Sequence, residues 1–155
     1  MDELKFLFEI NRISRHRALG AIEKLTLEQL AMIPKGFNNN LLWNFGHIAI
    51  TQQLLVVGLS QCVMEVPVAL IEKYRKGTLA SDIDTPEADL AYFKANFVKL
   101  VDQTEQMHSE GHLGAFKEYE TSYGVKLTSL KDAVIFNNVH EGLHIGYMMA
   151  MKRCL

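Results

Sequence analysis

The sequence predicts an all-α protein, a four-helix bundle, and three observations support this. Apolar residues recur at helical spacing through four long segments, with caps, prolines and glycines between them. The alternation expected of a half-buried strand is confined to residues 123–127. The composition, 48% apolar and 22% charged over 155 residues, is that of one soluble domain with a full core. A single domain over residues 1–155 is therefore expected.

The first helix covers about residues 2–24, where Leu4, Leu7, Phe8, Ile10 or Asn11, Ser14, Ala18, Ala21, Ile22 and Leu25 recur at helical spacing. Thr26-Leu27-Glu28-Gln29-Leu30 reads as a short extra turn, and Pro34-Lys35-Gly36 breaks the chain. Asn38, Asn39 and Asn40 can each cap a second long helix over about residues 40–60. Pro67 starts a short helix through Lys76, stopped by Gly77. Thr85-Pro86-Glu87 supplies a cap, an N1 proline and an early acid for the third long helix, about residues 86–108. Residues 110–126 hold three glycines and two tyrosines without a period, and read as a connection with room for a short helix or extended piece. Thr128 or Ser129 then caps the last helix, which reaches about Lys152.

Charge and cysteine content exclude several functions. A net charge of −2 leaves no broad basic footprint for nucleic acid. The one basic cluster, Arg12, Arg15, His16 and Arg17, reads as the wet face of a helix. Cys62 and Cys154 are too few and too far apart for a disulfide framework, and fit free thiols in a reducing cytosol. The N-terminus lacks a basic region followed by an apolar run, and the longest apolar stretch, residues 54–59, is far short of a membrane span. A cytoplasmic protein that binds neither membrane nor nucleic acid is expected.

His140-Glu141-Gly142-Leu143-His144 carries the chemistry. Two imidazoles four positions apart lie one turn apart on a helix, close enough to share one metal ion. The string also matches H-E-x-x-H, the zinc-protease pattern in which the glutamate is the general base. Residues 145–155 contain no His, Asp or Glu, so a third protein ligand must come from upstream. The face shared with Ala133, Asn137, Tyr147 or Met148, and Met151 is otherwise apolar and should point inward. Buried imidazoles need partners, either a metal or hydrogen bonds to a neighbouring helix or internal water, and this pair alone leaves both open.

His47 lies mid-helix on a stripe with Asn40, Trp43 or Asn44, Ile50 or Thr51, and Leu54. Gly46 beside it costs about 1 kcal/mol against alanine in a helix interior, which suggests close approach by another element or a ligand. His47 by itself reads as a core histidine; with the last helix it completes a set of three. His108 and His112 flank Ser109 and Gly111 where the third helix should end, and read as solvated or bonded to helix-end carbonyls. His16, between two arginines, reads as a surface residue.

Trp43-Asn44-Phe45-Gly46-His47-Ile48, followed by His140-Glu141-Gly142-Leu143-His144-Ile145-Gly146, resembles the DinB-like (YfiT-like) superfamily of metal-dependent enzymes. The order of elements agrees over essentially the whole chain. The resemblance implies an up-down-down-up bundle, often homodimeric, with one divalent metal ion held by His47, His140 and His144. Characterised relatives mostly use a low-molecular-weight thiol, attaching bacillithiol to electrophiles or carrying out mycothiol-dependent isomerisation and transfer. No thiol-binding signature is matched here.

Three neutral histidines leave a divalent ion its full charge and an open coordination position, the layout of catalytic zinc. Such an ion lowers the pKa of bound water or thiol. Zinc and nickel both accept imidazole. The leading expectation is a thiol-dependent S-transferase acting on small electrophiles. A metal-dependent hydrolase on the same site and a non-catalytic metal- or ligand-binding bundle are the alternatives. Glu141 lies about a quarter turn from the ligand face and reads as a partly exposed helix carboxylate; orienting a ligand imidazole or serving as general base are its other roles. Asn44 and Asn137 are candidates to support the ligands or contact substrate. Tyr147 reads as a core aromatic, with lining the pocket as its other role, and Met148, Met149 and Met151 read as packing. Neither cysteine has a visible activating neighbour, which argues against a thiol nucleophile.

Overall fold

The computed structural model describes residues 3–155. Helix α1 (Glu3–Ile22) is followed by the short α2 (Leu27–Ala31), closed at its start by a capping box between Thr26 and Gln29. The start expected at Asp2 lies outside the described residues. Asn40 caps α3 (Leu41–Gln52), its side chain accepting from Trp43 N at 2.7 Å. The short helix α4 (Val68–Tyr74) starts after Pro67, and Gly77 turns the chain with φ +93°. Helices α5 (Pro86–Asn96) and α6 (Lys99–Ser109) follow, then strands β1 (Tyr119–Glu120) and β2 (Lys126–Leu127), and finally α7 (Leu130–Lys152). Ser129 is the residue that caps α7, accepting from Asp132 N.

Side-chain contacts fix the directions of the long helices. Lys131 pairs with Glu3, Asn138 Nδ2 donates to Leu7 O and Lys152 Nζ to Ala21 O, so α1 and α7 run parallel. Asn44 meets His144 and His47 meets His140, so α3 runs against α7. Gln52 meets Thr104 and Phe45 meets Phe97, which sets α3 parallel to α5 and α6. The result is the up-down-down-up bundle. Residues 41–50 of α3 are buried on every side, because α2, α4, α5 and α7 all pack on this helix. No described helix is long and apolar enough to cross a membrane.

Two of the expected long helices are not regular. The second, expected over residues 40–60, changes at Gln53 into a π-helical stretch, Gln53–Gly58. Its buried amides replace ordinary helical surface: Gln53 Nε2 donates to Gln52 Oε1, Gln52 Nε2 to Thr104 Oγ1, and Gln53 Oε1 accepts from Glu65 N. The third, expected as one helix over residues 86–108, breaks between α5 and α6 at Phe97 and Val98. No proline marks the break. Instead the Arg15 guanidinium inserts there, donating from Nη1 to Phe97 O and lying 4.8 Å above the Phe97 ring.

Arg15 corrects the reading of its basic cluster as a wet face. It has no exposed surface, and nor does Glu141, its partner on α7. The pair is bidentate, Nε to Oε2 at 3.1 Å and Nη2 to Oε1 at 2.8 Å. Asn137 Nδ2 adds a third donor to Oε1 at 2.9 Å. Glu141 is therefore not the partly exposed carboxylate its position suggested. His16 and Arg17 are exposed as expected, and Arg12 pairs with Asp102 at 2.7 Å and with Glu105.

Removing one partner of a buried pair strands a charge and typically costs about 3–5 kcal/mol. Arg15→Met and Glu141→Leu should each lower the urea midpoint sharply. The double replacement should recover most of the loss, because it removes both charges together. Equal losses in the single and double variants would show that the pair itself does not carry the cost.

Candidate metal centre

The three histidines foreseen from the sequence meet in space. His47 comes from α3; His140 and His144 come from successive turns of α7. One ring nitrogen from each lies within 4.8 Å of the others. His47 Nε2 and His140 Nε2 are 3.2 Å apart. Two nitrogens bound tetrahedrally at zinc–nitrogen distances of about 2.0–2.1 Å stand roughly 3.3 Å apart, so this edge fits a shared ion.

Backbone and amide partners orient two of the rings. His47 Nδ1 donates to Tyr74 O at 2.7 Å, the last residue of α4, which leaves Nε2 as a lone-pair donor. His144 Nδ1 donates to Asn44 Oδ1 at 2.8 Å, and Asn44 is itself fixed by its Nδ2 donating to Asn40 O. The indole of Trp43 stacks on His47 at 4.5 Å and 12°. His140 Nδ1 is buried and has no hydrogen-bond partner among the described residues, so the polar contact of this ring is at Nε2, toward His47 Nε2.

Burial makes all three imidazoles poor bases. It pushes His140 down to about 3, helped by the neighbouring His144 and His47. His144 falls to about 4, from burial and then His47. Burial also lowers His47, although its hydrogen bond to Tyr74 O acts in the opposite direction. At neutral pH the set presents three uncharged nitrogen donors, the form a metal requires. The chemistry of the donors fits a divalent ion, and so does the spacing of the His47–His140 edge.

Gly46 explains how α4 comes close enough. A Cβ at this position would lie 2.5 Å from Tyr74 Cε1 and 2.7 Å from Phe93 Cε2. Only glycine lets the Tyr74 ring lie on α3 and bring its carbonyl to His47. Tyr74 OH in turn donates to Asp89 Oδ2 at 3.1 Å. The close approach inferred from Gly46 is thus by another element.

Two cavities reach the imidazoles. One of about 310 Å³ is lined by Thr51, Leu54, Leu55, Leu59, Phe136 and the hairpin, and reaches His47 and His140. The other, about 370 Å³, is lined by Asn38, Asn39, Trp43, Asn44 and Tyr147, and reaches His144. A further hollow of about 360 Å³ between α1 and α6 lies elsewhere, and its Arg12, Asp102 and Glu105 already pair with one another.

Tyr147 is 45% exposed, packs edge-on to Phe37 at 5.0 Å and lines the second cavity, so it belongs to the pocket and not to the core. Asn137 is buried and engages Glu141 instead of a ligand imidazole. Glu141 lines neither cavity, and its oxygens are taken by Arg15 and Asn137. Met148 and Met151 are core, whereas Met149 is 56% exposed. His108 is half-buried near Phe8, and His112 lies 3.1 Å from Glu110. Both cysteines are free.

Two contributors were not assigned roles from sequence. Thr51, whose Oγ1 lies 3.3 Å from His47 Nε2, was legible as the polar residue one turn after His47. The Tyr74 carbonyl was not, since a backbone oxygen leaves no sequence signal.

These features define a class: a four-helix bundle in which α3 and α7 share a three-histidine cluster able to hold a metal ion. The chain belongs to the DinB superfamily, whose family description matches residues 11–148 and so includes all three histidines. Some members of that superfamily are metal-dependent enzymes. No curated protein matches the chain at a significant level.

Two outcomes follow. Gly46→Ala should cost about 1–3 kcal/mol by overpacking, and should weaken metal binding because Tyr74 O moves off His47; unaltered affinity would separate Gly46 from the site. The second concerns pH. Unfolded histidines protonate near 6.5, whereas His144 and His140 in the fold wait until about 4 and about 3. Between these values the unfolded chain binds more protons, so metal-free protein should lose stability as pH falls from 6.5 toward 4. Urea midpoints of metal-free protein at pH 7 and pH 5 measure this, and equal midpoints would contradict it.

Proposed function

We infer that this protein is a metal-dependent enzyme that joins a low-molecular-weight thiol to a small electrophile, with zinc or nickel held by His47, His140 and His144. The observation that carries the reading is the pairing of three neutral imidazoles with a largely apolar cavity that no carboxylate lines. A divalent ion on those nitrogens would supply the positive charge that makes an external thiol acidic at neutral pH.

The residues of the chain do the rest. Tyr74 O and Asn44 Oδ1 fix the ring tautomers so that Nε2 of His47 and of His144 stays unprotonated. Leu54, Leu55 and Phe136 exclude water around an apolar electrophile. The thiol proton leaves through the open cavity to solvent, because no side-chain carboxylate is there to take it. Hydrolysis is the weaker reading for the same reason: Glu141, its obvious general base, is locked against Arg15. Asn44 acts by positioning His144, and Asn137 acts through Glu141 on the bundle, not on substrate.

The same reading includes a homodimer. Phe6, Ile10 and Ile13 on α1 and Ile135, Val139, Leu143 and Met149 on the adjacent, parallel α7 are exposed apolar side chains. Such a face is the kind that a second copy covers. A reducing cytoplasmic compartment suits the two free thiols.

Elemental analysis of untagged protein should give about one divalent ion per chain, lost in His140→Ala. Full metal retention in that variant would remove the assignment. Metal-loaded protein should consume monochlorobimane only when a thiol is added. Turnover of esters or amides with water alone would favour the hydrolase, and metal without any turnover would favour a binding bundle.

A further inference from the structure

Two cavities open onto one set of imidazoles, and their chemistries differ. The cavity at His47 and His140 is walled by Leu54, Leu55, Leu59 and Phe136, with Lys76 as its only side chain of fixed charge. The cavity at His144 is lined by no Asp, Glu, Lys or Arg side chain. It is built from amides and aromatic rings: Asn38, Asn39, Trp43 and Tyr147. Asn39 Oδ1 accepts from Ala80 N at 2.9 Å.

One residue lines both cavities. Tyr123 sits in the turn joining β1 to β2, where Gly124 N donates to Thr121 O at 2.9 Å and Gly124 takes φ +75°. Its ring packs edge-on to Phe136 at 5.7 Å and 85°, while 62% of the residue stays exposed. The hairpin thus drops a single aromatic ring between the two spaces.

Resting on the transferase reading above, we propose that the site holds two substrates at once. An apolar aryl or alkyl electrophile occupies the leucine-lined cavity, a neutral hydrogen-bonding thiol occupies the asparagine-lined one, and Tyr123 is the partition. Apolar surface gains about 25 cal/mol per Å² in the first cavity, whereas the second offers amide and hydroxyl partners to a polar body. The reacting atoms then meet at the imidazoles from opposite sides. The S–H proton is lost to solvent, the S–C bond forms, and the leaving group departs with the electron pair of the bond that breaks.

The test is an NMR titration of the zinc-loaded protein with two unreactive probes, 1-anilinonaphthalene-8-sulfonate for the apolar cavity and 1-thioglycerol for the polar one. Trp43 is the sole tryptophan and lines the polar cavity alone of the two, so its indole signal is assigned without ambiguity. The sulfonate probe should shift the methyl signals of Leu54 and Leu55, and thioglycerol the Trp43 indole. Each Kd should stay within about threefold when the other probe is present, as for independent sites. Leu54→Phe, or Leu59→Phe if the first fails to fold, should weaken the sulfonate probe by at least about tenfold and leave thioglycerol unchanged. In Tyr123→Ala the sulfonate probe should also shift the Trp43 indole. Mutually exclusive binding, or both probes moving the same signals in the wild type, would overturn the two-compartment site. An unchanged shift pattern in Tyr123→Ala would remove the partition. Independent binding without thiol-dependent turnover would instead count against the transferase reading alone.

Discussion

Arg15 and Glu141 form the contact on which the rest of the bundle depends. Two opposite charges with no exposed surface must satisfy each other or stay out of the core. Their bidentate geometry, the Asn137 donor and the Phe97 carbonyl together use most of the hydrogen-bonding capacity of both groups. One interaction therefore fixes α1 against α7 and locates the break between α5 and α6. It also sets the rotation of α7 about its axis. Glu141 points to Arg15, so His140 and His144 on the neighbouring strip of the same helix point to α3.

The candidate metal centre is supported by packing as much as by polar contacts. Gly46 admits Tyr74, Tyr74 O holds His47, and Trp43 stacks on the same ring. Asn44 does for His144 what Tyr74 O does for His47. His140 Nδ1 has no such outer partner among the described residues. Burial keeps all three rings neutral, so the electrostatics that would disfavour an imidazolium there favour a site ready to donate lone pairs.

The π-helical stretch shapes the space beside this centre. Leu54 and Leu55 of this stretch line the apolar cavity, with Thr51 before it and Leu59 after it. The hairpin closes the opposite side with Tyr123, a residue far from His47 in sequence. Cavity character is thus divided between a regularity of α3 that is broken and a connection with no regular period.

The four long apolar periods, the caps at Asn40 and Ser129, and the three histidines were all legible in the sequence. Helical periodicity and capping are local, and ligand spacing on α7 follows from the pitch of one helix. The glycine beside His47 was also legible as a point of close approach. What the sequence could not disclose were partnerships between distant groups. Arg15 looked like one of several surface cations and Glu141 like a partly exposed helix carboxylate, until the fold put them in contact at the centre of the bundle. The break at Phe97 and the Tyr74 carbonyl are of the same kind, one made by a guanidinium from another helix and the other by a backbone atom common to every residue. Local chemistry, in short, decided which side chains could bind a metal. Only tertiary packing decided which charges were buried and which oxygens orient the ligands, because both depend on what lies across the core.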